Sequence, residues 1–454
     1  WVGCLGGHPQ AKTPNLDRLA ASGVLFTNAY CPAASCNPSR SAIMSGIPPH
    51  RSGLYNNMQK MRRVRPAAEL IPKYFPRHGY KSAGSGKMLH YFIDARSWDD
   101  YFPAKETEDP SPRTFYPKKR PVGLPYEPWM YVECDWAALD VTLDQYGGDY
   151  LVADWIGKQL QRKHEKPFFL ACGIYRPHLP WYVPQEYFDM FPLESVQLPR
   201  VLENDLDDLG DRAREIASRA GGYHEHVLRA GQWKRAVQGY LASIAFADTL
   251  VGTLLDALDA SAYADNTVVV LWSDHGWQLG EKEHWRKFSL WEEATRSPLI
   301  WVVPGVTKAG EICQRPVDFL SIYPTLCDLA NIPQPDHLAG ESLIPVLHNP
   351  SAIVKGIAMS QFPTPALREW AANPLSPEMR ETFFGPLINQ VEQTIRTQQG
   401  SQWNRELFEK HLMGYTIRDP RYRYIEWRDT RNPDLEPIYQ ELYDHLSDPH
   451  ETVN

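Results

Sequence analysis

In the stretch CPAASCNPSRSAIMSGIPPHRSG, Cys36 lies two residues before Pro38 and four before Arg40. Pro38 fixes φ and suits the first turn of a helix, which Gly46 can end. Cys36 then falls at a helix N-terminus, where unpaired N–H groups and the dipole favour an anion. Arg40 projects beside it, one turn on. A thiolate there is activated for nucleophilic chemistry. On its own the pattern also fits a buried structural cysteine near a surface arginine.

Further residues offer matching chemistry. GSGKMLH sets Lys87 and His90 three apart where a strand turns into a loop. YRPHLPW holds His178 between two prolines, just past the apolar run PFFLACGIY. In open α/β sheets ligands collect outside the carboxyl ends of strands, which suits a site residue there. WSDHG places Asp274 and His275 directly after another apolar run. Neighbours on a strand point to opposite faces, so both reach one ion only where the strand has ended, a turn Gly276 permits. Lys287 follows in HWRKFSLWEEATR, with Arg286 its nearest competitor. His224 and His226 form an HxH that no other ligand-like residues frame, and read as surface.

These side chains need a scaffold, and the spacing supplies one. Thr13 and Pro14 open a helix as N-cap and N1, with Leu16 and Leu19 inward and Gly23 stopping it. VLFTNAY reads as a strand. A helix over about 149–162 carries Leu151, Trp155 and Leu160 on one side, and PFFLACGIY follows as a buried parallel strand. A second helix near 235–260 repeats Val237, Leu241, Ile244, Leu254 and Leu258 ahead of the buried strand NTVVVLWS. SPLIWVVPG is a third strand, followed by a helix near 321–330. Such alternation predicts an α/β fold whose sheet is covered on both faces. After about residue 347 shorter amphipathic strands (GIAMSQF, GYTIRD, YRYIEWR) flank a polar helical insertion at about 375–412. The expected division is therefore a catalytic domain over 1–347 and a smaller α+β domain over 348–454. Residues 103–128 form a long irregular, proline-rich loop.

Composition bounds the function. Of 454 residues, 43% are hydrophobic and 22% charged, as in globular chains. A formal charge of −8 argues against a nucleic-acid partner. No apolar run approaches the roughly 18 residues of a bilayer span. Seven cysteines show no CxxC pairing or zinc-like spacing.

Cys-x-Pro-Ser-Arg resembles the signature of the type I sulfatases. KTPNLDRLAASGVLFTNAY, HRSG, GSGKMLH, YRPHLPW, WSDHGWQLGEKEHWRKFSLWEEATRSPLIW and ELYDHLSDPHE extend the resemblance over nearly the whole chain. MSQFPTP and MGYTIRD look closest to iduronate-2-sulfatase and bacterial polysaccharide sulfatases. The resemblance implies an alkaline-phosphatase-like, mixed but mostly parallel sheet between helices. It also implies a sulfatase that cleaves a sulfate monoester on a carbohydrate. A maturation enzyme, of the formylglycine-generating or anaerobic type, would oxidise Cys36 to Cα-formylglycine, whose hydrate attacks sulfur and then expels sulfate by re-forming the aldehyde. Arg40 would hold its oxygens, and Lys87 and Lys287 would grip sulfate. His90 would take the hydroxyl proton and His178 would protonate the departing alkoxide. Calcium would sit on Asp274, His275 and modified Cys36. Lys118, Lys119 and Arg120 read as a solvated basic turn, with contact to further sulfates of a polymer the alternative. A periplasmic or secreted location is implied in the same way.

In one respect the sequence departs from the family. The family's first strand ends in paired aspartates that bind the metal, and that strand is absent here. A gap in the sheet and a weakened ion site are expected, and Pro72 and Pro76 disturb what is normally a regular helix. A phosphonate or phosphate monoester hydrolase and an inactive glycan-binding relative remain the alternatives.

Overall fold

Apolar strands flanked by amphipathic helices build two sheet blocks, and a third sheet closes the chain. The computed structural model describes residues 1–57, 59–90, 92–104, 110–119, 121, 134–209, 223–363, 404, 406–407 and 411–454. The helices that position the site are α1 (Pro14–Ala21), α2 (Cys36–Ser45), α3 (Gly148–Leu160), α4 (Trp233–Asp259), α5 (Glu292–Thr295) and α6 (Ile322–Leu329). The strands of the sheet blocks are β1 (Val24–Phe26), β2 (Lys81–Gly86), β3 (Asp100–Phe102), β4 (Trp136–Leu139), β5 (Phe168–Gly173), β6 (Trp181–Pro184), β7 (Val269–Trp272), β8 (Leu299–Val302) and β9 (Glu311–Cys313). The C-terminal sheet comprises β10 (Ala358–Pro363), β11 (Leu412–Arg418), β12 (Tyr422–Asp429) and β13 (Tyr439–Asp444).

One block has strand order β9-β1-β8-β7, with β1 parallel to β9 and antiparallel to β8, and β8 antiparallel to β7. Val24, Phe26, Leu299, Trp301 and Cys313 pack with Ile322 of α6 on one face of it. The other block is parallel throughout, in the order β3-β2-β5. The parallel pair β4-β6 lies under α4, whose Val237, Leu241, Ala245 and Phe246 pack with Tyr182 and Val183. This is the mixed α/β architecture that the alternation predicts.

Among the described residues β5 pairs only with β2, and β7 only with β8. Both line one cavity of about 1930 Å³, shared with Leu19 of α1, Ile156 of α3 and Leu255 of α4. Two strands expected to be buried are therefore half-buried: all of Val269–Trp272, and Phe168–Leu170 in β5. Their edges face open space where a continuous sheet would place a neighbour. Among the described residues the expected gap is present.

Several local readings change. VLFTNAY divides into β1 and a two-residue strand, Ala29–Tyr30. The buried face of α3 is Val152, Ala153, Ile156 and Leu160, while Leu151 and Trp155 are half-buried, Trp155 stacking on Phe102. Thr13 occupies the N-cap of α1 without a side-chain cap bond. Instead Asp248 of α4 accepts the amide N–H groups of Asn15 and Leu16. Ile71–Arg77 is a short helix: Pro72 falls in its first turn, where no N–H is needed, while Pro76 lies inside it near the C-terminal end. α4 is long and apolar enough to cross a membrane by length and composition, a property the sequence reading passed over; half of its most apolar stretch is buried inside the fold. In the proline-rich loop Thr114 bridges to Gly147, and Lys118 and Lys119 are exposed. Arg120, the side chain of His226 and most of the predicted 375–412 insertion lie outside the described residues. His224 is half-buried, not surface: its ring accepts the Trp285 indole N–H at 3.0 Å.

The C-terminal sheet is an antiparallel meander, β10-β11-β12-β13. It docks through Arg423, fully buried, which pairs with both Glu292 of α5 and Glu451. Burial alone would raise the Glu292 carboxyl, but Arg423 and Arg296 overcome it and hold it at about 2. A carboxyl held below its unfolded value stabilises the fold above that value, and the contribution is lost as pH falls from about 4.5 to about 2. Arg423→Ala removes the buried cation shared by two carboxylates, leaving Glu292 with the more distant Arg296 and Arg418 and Glu451 with His445, and is expected to cost about 3 kcal/mol in urea unfolding. Glu292→Gln should flatten the acid limb of the stability curve in that window. An Arg423→Ala midpoint equal to the parent's would contradict this account.

Candidate functional site

α2 opens on Cys36 because Ser35 is extended and because Pro38, in the first turn, lacks an N–H that would have no partner there. Gly46, at φ +70°, closes the helix in the left-handed region. Cys36 is fully buried at the positive end of α2.

The other groups arrive from strand ends. Lys87 follows β2, and two glycines let its backbone approach β5 closely. A Cβ on Gly86 would sit 2.3 Å from the Gly173 carbonyl oxygen, and one on Gly173 would sit 2.4 Å from the Lys87 backbone. The Lys87 N–H donates to Gly173 across this contact at 2.8 Å. Asp274 and His275 follow β7, where Gly276 turns the chain: a Cβ there would lie 1.9 Å from the Glu293 carbonyl oxygen. Lys287 lies in the loop before α5, its carbonyl accepting from His284 at 3.0 Å. His178 lies on the turn after β5.

These groups meet at Cys36. Lys287 Nζ is 3.0 Å from Cys36 Sγ, His275 Nε2 is 3.2 Å and Lys87 Nζ is 3.8 Å. His178 Nε2 lies 3.2 Å from Lys287 Nζ, while its Nδ1 faces the Leu179 carbonyl at 2.7 Å. With Nδ1–H donating to that carbonyl, Nε2 carries the lone pair toward the ammonium. His90 also bonds the sulfur; burial outweighs that bond and lowers its pKa to about 4, so the ring is neutral at pH 7. Arg40 is directed differently from the sequence expectation. Its Nε donates to Asp274 Oδ2 at 2.6 Å and its Nη1 to the Lys87 carbonyl, so it fixes two neighbours rather than Cys36 itself. Arg286 turns its guanidinium over the Trp277 and Phe288 rings, whereas Lys287 reaches the sulfur.

The electrostatics follow from this geometry. Burial raises the Cys36 thiol, but Lys287, Lys87 and His275 overcome it and hold the group well below its ordinary value. Asp274 is likewise raised by burial and pulled down to about 2 by Arg40 and His275. The result is a buried pocket built to hold negative charge. Asp274, His275 and Cys36 present donor atoms within 4.8 Å of one another, a candidate metal-binding group. A carboxylate, an imidazole and the position-36 side chain fit one side of a cation's shell, not all of it.

Sequence reasoning missed the groups that support these side chains. Tyr175 places its ring 4.6 Å from Lys87 Nζ, and Trp277 lies 5.5 Å from Lys287 Nζ. Ser39 donates to the Asp274 carbonyl at 2.5 Å. The aromatic density around YRPH and DHGW was the available signal, since aromatic faces attract ammonium groups.

A family model described as Sulfatase matches residues 2–332. The chain is 37% identical to a sulfatase of Formosa agariphila over 369 residues, 77% of this chain and 71% of the relative. It is 30% identical to the iduronate 2-sulfatase of Homo sapiens over 468 residues, 94% of this chain and 82% of the relative. A solved 2-O GAG sulfatase superposes with TM-score 0.67 at 19% identity, covering 100% of this chain and 84% of that one. A phosphonate monoester hydrolase from Silicibacter pomeroyi superposes with TM-score 0.72 at 20% identity, covering 98% and 86%. At such identities these two likenesses concern the fold.

In protein whose Cys36 is unoxidised, the thiolate should persist well below the usual thiol range. Lys287→Met is expected to move its titration upward, read as ultraviolet thiolate absorbance against a Cys36→Ala blank. A titration unchanged by Lys287→Met would remove the ammonium as the cause.

Proposed function

The chain belongs to the sulfatase family and is a sulfuric ester hydrolase; from that premise we propose that it cleaves a sulfate monoester on a carbohydrate through a nucleophile made from Cys36. What carries the reading is the convergence of Lys87 and Lys287 on the Cys36 side chain, with His178 against Lys287. A maturation enzyme of the formylglycine-generating or anaerobic type, with its oxidant, converts the thiol to an aldehyde. The hydrated aldehyde supplies one hydroxyl for attack on sulfur and a second whose deprotonation releases sulfate.

The remaining chemistry belongs to this chain's own residues. Lys87 and Lys287 hold sulfate oxygens, both ammoniums nearly solvent-free, where charge pairing is strong. His178 takes up a proton from solvent on its Nε2 lone pair before turnover and, as imidazolium, offers it to the departing sugar alkoxide, while neutral His90 accepts the hydroxyl proton. Arg40 keeps Asp274 ionised and oriented. Asp274, His275 and the modified residue would hold a calcium ion, which when bound orients sulfate and offsets its charge. Calcium takes six to eight oxygens, so further carboxylates are needed. The cavity between the β5 and β7 edges is the natural seat for an additional strand bearing them. Sulfated glycosaminoglycan or algal polymers lie outside the cell, which supports a periplasmic or secreted location.

Relative turnover tests the class: 4-nitrophenyl sulfate should be hydrolysed much faster than 4-nitrophenyl phosphate, and the reverse order would transfer the chain to the phosphoester reading. In active protein, the Cys36 peptide should be lighter by one sulfur and two hydrogens and heavier by one oxygen; activity with an intact thiol would exclude the aldehyde. Extending the chain with a strand that ends in paired aspartates should raise calcium affinity in calorimetry. No gain would reject the slot as the source of the missing ligands.

A further inference from the structure

His178 must keep Nε2 aimed at the sulfur pocket, yet it stands on a turn beyond the end of β5. A fixed group holds that turn from below. Asp149, in the first turn of α3 and 6% exposed, accepts the Tyr175 N–H at 2.7 Å and the Arg176 N–H at 2.9 Å. The His178 N–H closes the turn onto the Tyr175 carbonyl at 3.1 Å, and Arg176 Nη1 donates to the His178 carbonyl at 3.2 Å. The Tyr175 ring rests 4.8 Å from the His178 ring. Besides the ring contacts to Leu179 and Lys287, the backbone turn that carries His178 is thus tied through two amides to one buried carboxylate. Asp149 itself touches none of the groups around Cys36 among its hydrogen bonds.

We propose that Asp149 is a positioning residue that fixes the Tyr175–His178 turn, so that His178 Nε2 stands where the leaving oxygen of the substrate departs. This inference rests on the proton-donor reading of His178 above. Proton donation matters when the departing oxygen is basic and little when it is a stabilised phenolate. Losing the Asp149 carboxylate should therefore act selectively on poor leaving groups. A small displacement of a catalytic group costs about a hundredfold.

The test compares an unactivated sugar sulfate with 4-nitrophenyl sulfate, using matured enzyme. Asp149→Ala is expected to lower kcat/KM by about tenfold to a hundredfold on the sugar sulfate and far less on the activated ester. Asp149→Asn keeps one acceptor oxygen and should fall between; it carries the comparison if the alanine variant does not fold. In a His178→Ala background, Asp149→Ala should add no further selective loss. Equal losses on both esters, no loss, or additive losses in the double variant overturn the proposal. If His178→Ala itself spares the sugar sulfate, the proton-donor reading falls first, so the two failures are distinct.

Discussion

The site depends on accumulating positive charge around one buried side chain. Two ammoniums and an imidazole stand within hydrogen-bonding reach of Cys36 Sγ, with a guanidinium one residue away through Asp274. Like charges repel strongly where water is excluded. The arrangement is tolerable where an anion sits among them, which is why the Cys36 thiol is held well below its ordinary value and, on the proposed reading, why a substrate oxyanion fits there. Bringing those cations together costs stability, which the folded scaffold supplies in advance, so little reorganisation remains when substrate arrives.

The scaffold achieves this with short lever arms. Lys87, His178 and Asp274 each follow a strand terminus by a few residues, where backbone position is set by the sheet. Glycines mark the places where two backbones must nearly touch, at 86, 173 and 276. The C-terminal sheet contributes from a distance: Arg423 and Glu451 hold Glu292, the first residue of α5, and a carbonyl of that helix binds the Gly276 N–H beside His275. The clustered donors of Glu292, His445 and Glu451 form an ion-pair network around Arg423, which leaves no reason to place a metal there.

Much of this was legible from the residues. Helix–strand alternation marked α1, α3, α4 and the strands that end at the site, and Lys87, Lys287 and His275, singled out with the family resemblance, lie around Cys36. The rest depended on partners far away in the chain. Thr13 looked like the cap of α1, but Asp248, more than two hundred residues on, takes that task. Arg40 read as a contact of Cys36, whereas its geometry commits it to Asp274. Asp149 carries no motif and is one acidic residue among many; only its two amide bonds distinguish it. Long-range hydrogen bonds leave no periodicity behind, so sequence patterns cannot report them.

The cavity between β5 and β7 also divides the machinery. Lys87, His90 and His178 are borne by the parallel block, while Asp274, His275 and Lys287 hang from the mixed one. No ladder of main-chain bonds joins the two blocks among the described strands. The pocket is thus a seam, and its width is governed by how α1, α3 and α4 brace the halves. An anionic guest gripped from both banks would act as a rivet, so that occupancy at the centre would stiffen the molecule as a whole.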